Sequence, residues 1–190
     1  MAKTRTFVAV EASQEVRQGA DRLTGLLAPN TKAVRWVAGG TLHYTLHFLG
    51  DITDQEVFDV CSRTQRVAEA TAPFSLRSVG AGAFPSTNRP RTLWIGVGRG
   101  GDELRALHAA TESALDDLGF RGENRRYVPH LTIGKTIRAG SVAAELSPLI
   151  EANTHFDAGG TVVDRITVFA SELHADGPAY HALARCPLSG

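Results

Sequence analysis

Two tetrapeptides in this 190-residue chain share a form that suits acid–base chemistry. His43-Tyr44-Thr45-Leu46 and His130-Leu131-Thr132-Ile133 both read His-x-Thr-aliphatic and lie 87 positions apart. A single His-x-Thr is expected about 0.6 times by chance here, and requiring the aliphatic residue lowers this to about 0.16; two copies are then roughly a one-in-ninety event. An imidazole titrates near neutral pH, so it can give or take a proton, and one ring in each state suits a displacement at phosphorus. A threonine hydroxyl can donate a hydrogen bond to a non-bridging phosphate oxygen.

Strands are the elements that would position these groups. Both tetrapeptides fall in β-type runs, where residues i and i+2 share a face. Each histidine therefore stands beside its threonine. Tyr44, Leu46, Leu131 and Ile133 face the other way, into an apolar core. Two such strands facing each other would hold two imidazoles and two hydroxyls around one small anion. The same parity puts His47 on the face of His43 and Thr45, where it reads as structural or peripheral.

The rest of the chain alternates short β-like runs with helical patterns, which makes the class α/β or α+β. Strands are predicted over 6–10, 34–37, 41–49, 74–79, 93–97, from His130 onward, and over 161–170 and 180–184. Gly50-Asp51 reads as punctuation, and Asp176-Gly177-Pro178 as a turn. Ser13 is a predicted N-cap for a helix with Val16, Ala20, Leu23 and Leu27 inward, ending at Pro29. Thr53-x-x-Glu56 is a capping-box pattern ahead of the stripe Val57, Val60, Cys61, Thr64, Val67, Ala68. Asp102 reads as the cap of a third helix, with Leu104, Leu107, Thr111, Leu115 and Leu118 inward. A fourth, weaker helix follows Ser141. The breaker-rich Phe84–Arg91 stretch reads as a surface loop. The order strand, helix, strand-with-His, helix occurs once before about residue 70 and again after it, a faint sign of two similar lobes.

Composition narrows the function without choosing it. Lys and Arg total 20, as do Asp and Glu, so bulk positive charge does not hold a nucleic acid. No apolar run approaches the ~18 residues of a membrane span. Met1 to Thr6 lead directly into a strand with no signal-peptide pattern, and the two cysteines, Cys61 and Cys186, form no CxxC. A cytoplasmic protein without a membrane is expected.

The flanks of the two motifs carry a resemblance. Leu42-His-Tyr-Thr-Leu-His-Phe-Leu-Gly50 and Tyr127-Val-Pro-His-Leu-Thr-Ile-Gly-Lys135 resemble the signature motifs of the 2H phosphoesterase superfamily. Within it the match is to the RNA 2′,3′-cyclic phosphodiesterases, also called 2′-5′ RNA ligases. Phe7-Val-Ala-Val10 is similar to the family's first strand, the region from Phe84 to Val97 to its middle segment, and Phe169 to Tyr180 to its closing hairpin. The resemblance implies one bilobal α+β domain spanning 1–190, with two antiparallel sheets facing a central cleft and helices on their outer faces. It implies opening of a 2′,3′-cyclic phosphate on RNA or a nucleotide to a 2′-phosphate, with no metal and no cofactor. His43 would be the proton donor to the leaving 3′ oxygen and His130 the acceptor that activates water. Thr45 and Thr132 would hold the phosphate oxygens. The family often has Arg where this chain has Lys135, which would lose a bidentate contact. Lys135 also has the opposite strand parity to His130, so a bend must bring it to the cleft.

Other residues fit a phosphorylated ligand. Between positions 121 and 138 stand Arg121, Arg125, Arg126, Lys135 and Arg138 against one acid, Glu123. Arg89 and Arg91 could add to this patch, and Trp36 could stack on a base. Trp36 and Trp94 otherwise read as core or cleft-wall aromatics. His108, His155, His174 and His181 read as surface residues. A zinc site from His43 and His47 is disfavoured, since those positions stand about 13 Å apart on a strand. A monomeric enzyme is expected. The competing reading is a module that binds an RNA end or nucleotide in the same cleft without turnover, and reverse ligation to a 2′-5′ linkage would use the same groups.

Overall fold

The computed structural model describes residues 3–28, 33–122, 126–137, 143–174 and 177–190. In chain order the elements are β1 (Lys3–Glu11), α1 (Gln14–Leu27), β2 (Val34–Trp36), a 3₁₀ turn (Gly39–Thr41), β3 (His43–Thr53), α2 (Asp54–Glu69), β4 (Phe74–Phe84) and β5 (Thr92–Val97). They continue with α3 (Gly101–Asp116), β6 (His130–Thr136), α4 (Ala143–Ala152), β7 (Asp157–Val163), β8 (Arg165–His174) and β9 (Gly177–Pro187).

The strands form two antiparallel sheets, ordered β3-β1-β8-β9 and β2-β6-β5-β4-β7. The faint internal echo is visible in the pairing. β1 and β3 pair across α1, and β5 and β6 pair across α3, so each motif strand lies beside the strand that precedes its helix. α1 packs on β7 and α4 on β4, whereas α2 and α3 pack against the strands of the first sheet. One buried apolar cluster joins them, including Val8 and Tyr44 from the first sheet, Ile95 and Leu131 from the second, and Leu23, Val60 and Leu107 from helices. At its centre the Tyr44 hydroxyl meets the Ser78 hydroxyl of β4, a bond between the two sheets with both residues fully buried.

Local signals set the first two helices. The Ser13 Oγ accepts from the Val16 N–H at 3.1 Å and donates to the Gly160 carbonyl at 2.6 Å, capping α1 and tying it to β7. Thr53 and Glu56 form the complete capping box of α2. The third helix departs from expectation. Its N-cap is Gly100, at φ 81°, and Asp102 lies in the first turn, paired with Arg105. A Cβ on Gly100 would collide with the Ser75 carbonyl, so close packing on β4 demands glycine where the sequence suggests a capping side chain.

Several strand limits also differ. β3 runs through Gly50-Asp51 to Thr53, because Gly50 and Asp51 pair with Thr6 and Arg5 of β1. β4 continues from Val79 to Phe84, where Gly82 lies beneath the Trp94 ring; a Cβ there would overlap the indole. The run 161–170 is two strands. It breaks at Asp164, where the chain leaves the edge of one sheet at Val163 and enters the interior of the other at Arg165. The last strand spans Gly177–Pro187. Pro29, Ser141 and Asp176, assigned to turns and caps from sequence, lie outside the described residues.

Candidate active site

His43 and Thr45 stand on β3, and His130 and Thr132 on β6, with all four residues partly buried and their neighbours Tyr44, Leu46, Leu131 and Ile133 fully so. The two rings are held in the same way. His43 Nδ1 donates to the Thr41 carbonyl at 2.7 Å, and His130 Nδ1 donates to the Val128 carbonyl at 2.7 Å. A carbonyl only accepts, so Nδ1 carries the proton in each ring and Nε2 is the nitrogen that titrates. Aromatic walls fix the ring planes. His43 packs on Phe7 at 4.8 Å and meets the edge of Tyr180 at 5.3 Å. His130 meets Phe84 edge-on at 5.0 Å, with Trp94 at 6.5 Å behind it. Burial pushes the His43 pKa down; the Thr41 carbonyl acts against this, and the charge of His130 adds to the lowering. The two imidazoles are therefore within electrostatic reach of each other across the cleft.

Each motif is followed by a β-bulge at the same place. On β3, Thr45 opposes Ala9 and His47 opposes Val8, so Leu46 is an extra residue. On β6, Thr132 opposes Trp94 and Gly134 opposes Leu93, so Ile133 is the extra residue. The bulges reverse the parity beyond them. His47 comes opposite Val8 instead of onto the face of His43 and Thr45, is 4% exposed, and still borders the cavity described below. Phe48 takes the cleft face in its place, opposite Phe7, and is 62% exposed. Lys135, opposite Thr92, comes onto the face of His130 and Thr132 by the bend that its position required.

A cavity of about 550 Å³ opens from this face. Its lining includes His130, Thr45, His47, Thr92, Arg91 and Phe84, together with Phe48, Arg121, Arg126, Tyr127 and His108. Of the basic residues predicted between 121 and 138, Arg121 and Arg126 line this cavity. Arg125 and Arg138 lie outside the described residues. Arg89 is exposed and does not line the cavity.

Two residues are placed differently from expectation. Trp36 packs over Gly134 beside Val34, on the core side of the sheet, so it offers no stacking surface in the cleft. His108 is not a surface residue. Its Nδ1 donates to the Leu46 carbonyl at 2.7 Å, and its ring stacks on Tyr127 at 3.9 Å. The site residues that sequence reasoning missed are Phe48, Phe84, Tyr127 and His108. Phe48 and Lys135 are both five residues beyond their histidine, the one sequence signal that could have paired them. His155, His174 and His181 are exposed, as expected.

Two antiparallel sheets presenting matched His-x-Thr strands to one cleft are the architecture of a two-histidine phosphoesterase. A family profile described as the 2′-5′ RNA ligase superfamily matches residues 6–174. The chain is 31% identical over 186 residues to the RNA 2′,3′-cyclic phosphodiesterase of Thermotoga maritima, covering 98% of this chain and 96% of that one. It is 30% identical to the protein of that name from Aquifex aeolicus, with both chains fully covered. A solved structure from Thermus thermophilus shares the fold at a TM-score of 0.83 and 24% identity, over 98% of both chains. Escherichia coli LigT, solved with 3′-AMP, shares it at 0.79 and 24% identity, over 99% of both. The chain belongs to the 2′-5′ RNA ligase superfamily.

Proposed function

We infer that this chain is an RNA 2′,3′-cyclic phosphodiesterase, the activity for which its relatives at about 30% identity over their full length are named, and that His43 and His130 carry the chemistry. The observation behind the second part is the matched pair of rings, each oriented by a backbone carbonyl two residues earlier and each beside a threonine. Water attacks phosphorus as His130 Nε2 takes its proton. The bond from phosphorus to the 3′ oxygen breaks, and His43 Nε2 gives that oxygen a proton, leaving a 2′-phosphomonoester. Thr45 and Thr132 donate to the non-bridging oxygens, and Lys135 and Arg91 supply positive charge to the pentacovalent state. Neither step calls on a metal.

Each lobe contributes one histidine, so the cleft is assembled within a single chain, and residues 1–190 act as one bilobal domain in a monomer. Cys61 and Cys186 are free thiols, which suits the cytosol. Among the described residues no helix is long and apolar enough to cross a membrane.

The test is incubation with a 2′,3′-cyclic mononucleotide in the presence of EDTA, with identification of the product isomer. The 2′-phosphate is expected, and rates in His43→Ala and His130→Ala should drop by about 10²–10⁴-fold with the fold retained. A 3′-phosphate would assign a different leaving oxygen, full activity in either variant would refute the roles, and binding without product would favour a non-catalytic module.

A further inference from the structure

The two bulges meet the same need with different donors. Successive carbonyls of a regular strand point to opposite edges, and an extra residue turns one of them out of the ladder. On β6 the Ile133 carbonyl accepts from the Val37 backbone N–H at 2.9 Å, so the chain just beyond β2 covers that bulge. β3 is the edge strand of its sheet, and there side chains take this part. His108 Nδ1, from α3, donates to the Leu46 carbonyl at 2.7 Å, and Tyr127 Oη donates to the Thr45 carbonyl at 3.0 Å. Their rings lie face to face, 3.9 Å apart and 15° from parallel, so both donors reach β3 from one place. The other ring nitrogen of His108, Nε2, faces the Glu112 carboxylate at 3.7 Å. Burial pushes the pKa of the Tyr127 phenol up, so it stays a hydroxyl and a donor.

Tyr127 also belongs to the approach to the second motif. It precedes Val128, whose carbonyl accepts from His130 Nδ1 at 2.7 Å. Thr45 of one motif and His130 of the other are therefore joined by two hydrogen bonds and the short piece of chain between them. We propose that Tyr127 is a positioning residue: with His108 stacked on it, it sets Thr45 against His130 so that hydroxyl and imidazole meet the same phosphate. The inference rests on the function given above and adds to it a residue that works through Thr45 and His130.

Steady-state kinetics on a 2′,3′-cyclic mononucleotide test this with Tyr127→Phe, which keeps the stacked ring and drops only the hydroxyl. In the folded variant kcat should fall by about 5–30-fold, with KM within about twofold of wild type. In a Thr45→Val background the same change should cost about threefold or less, because the hydroxyl being positioned is already gone. His108→Asn keeps an N–H donor for the Leu46 carbonyl and should lose less kcat than His108→Phe, which keeps only a ring. Four results would each overturn the inference and leave the hydrolase intact. These are an unchanged kcat in Tyr127→Phe, a change confined to KM, losses that multiply fully in the double variant, and equal losses in the two His108 variants. If the wild type turns over no cyclic nucleotide, the inferred function fails instead. The positioning is then read by NMR: Tyr127→Phe should move the His130 ring signals together with the Thr45 amide, and unmoved His130 signals overturn it.

Discussion

His43 is the residue whose environment most constrains the chemistry. Its ring lies among Phe7, Phe169 and Tyr180, and that burial favours the neutral form. In the donor role inferred for it above, His43 must carry a proton on Nε2, so substrate binding must raise its affinity for a proton drawn from solvent. A cyclic phosphate brings negative charge between the two rings, which offsets both the burial and the repulsion from His130. NMR titration of the free protein should find the His43 pKa below 6.5, rising when a 2′-nucleotide or inorganic phosphate binds. A free-state value at or above 6.5 would contradict this. The same depression has a stability consequence of definite sign. The unfolded chain binds a proton at His43 that the folded one resists, so stability falls as pH drops from 6.5 towards the lower folded value.

At the scale of elements, the caps and the bulges do different work. Ser13 bonds both the start of α1 and the Gly160 carbonyl, and its own N–H donates to the Thr161 hydroxyl at 3.1 Å. Ser13→Ala should therefore destabilise the protein by about 1–2 kcal/mol, seen as a lower urea midpoint. The site lies elsewhere, so turnover per folded molecule should be unchanged; an unaltered midpoint would mean the cap is dispensable. The bulges re-aim side chains. Leu46 and Ile133 each shift the parity by one, which puts Phe48 and Lys135 on the strand faces of His43 and His130 and sets His47 opposite Val8. The matched position of the two bulges makes the site asymmetric, with an aromatic ring on one strand and a cation on the other.

For the whole molecule, catalysis depends on two sheets keeping their spacing. The core is continuous across them, and Tyr44 is the residue that bonds one to the other, between His43 and Thr45 on the opposite face of β3. Tyr44→Phe leaves the fully buried Ser78 hydroxyl without that partner, which should cost about 1–3 kcal/mol. Because the bond joins the two lobes, the variant should also lose kcat at temperatures where it remains folded. Wild-type kcat in a destabilised variant would show that the core alone sets the spacing.

The amino-acid sequence by itself determined what neighbouring residues can settle. Strand and helix periods, the Ser13 cap, the Thr53–Glu56 box and the pairing of each histidine with a threonine all follow from side chains a few positions apart. Other features of the site depended on partners distant in the chain. The bulges arise from register against β1 and β5, and the residues of β3 and β6 carry no mark of it. His108 enters the cavity only because α3 packs on β3, and Trp36 leaves it because β2 pairs with β6 at Gly134. Register and packing are hydrogen-bond and contact choices made between segments, so the tertiary structure alone could decide them.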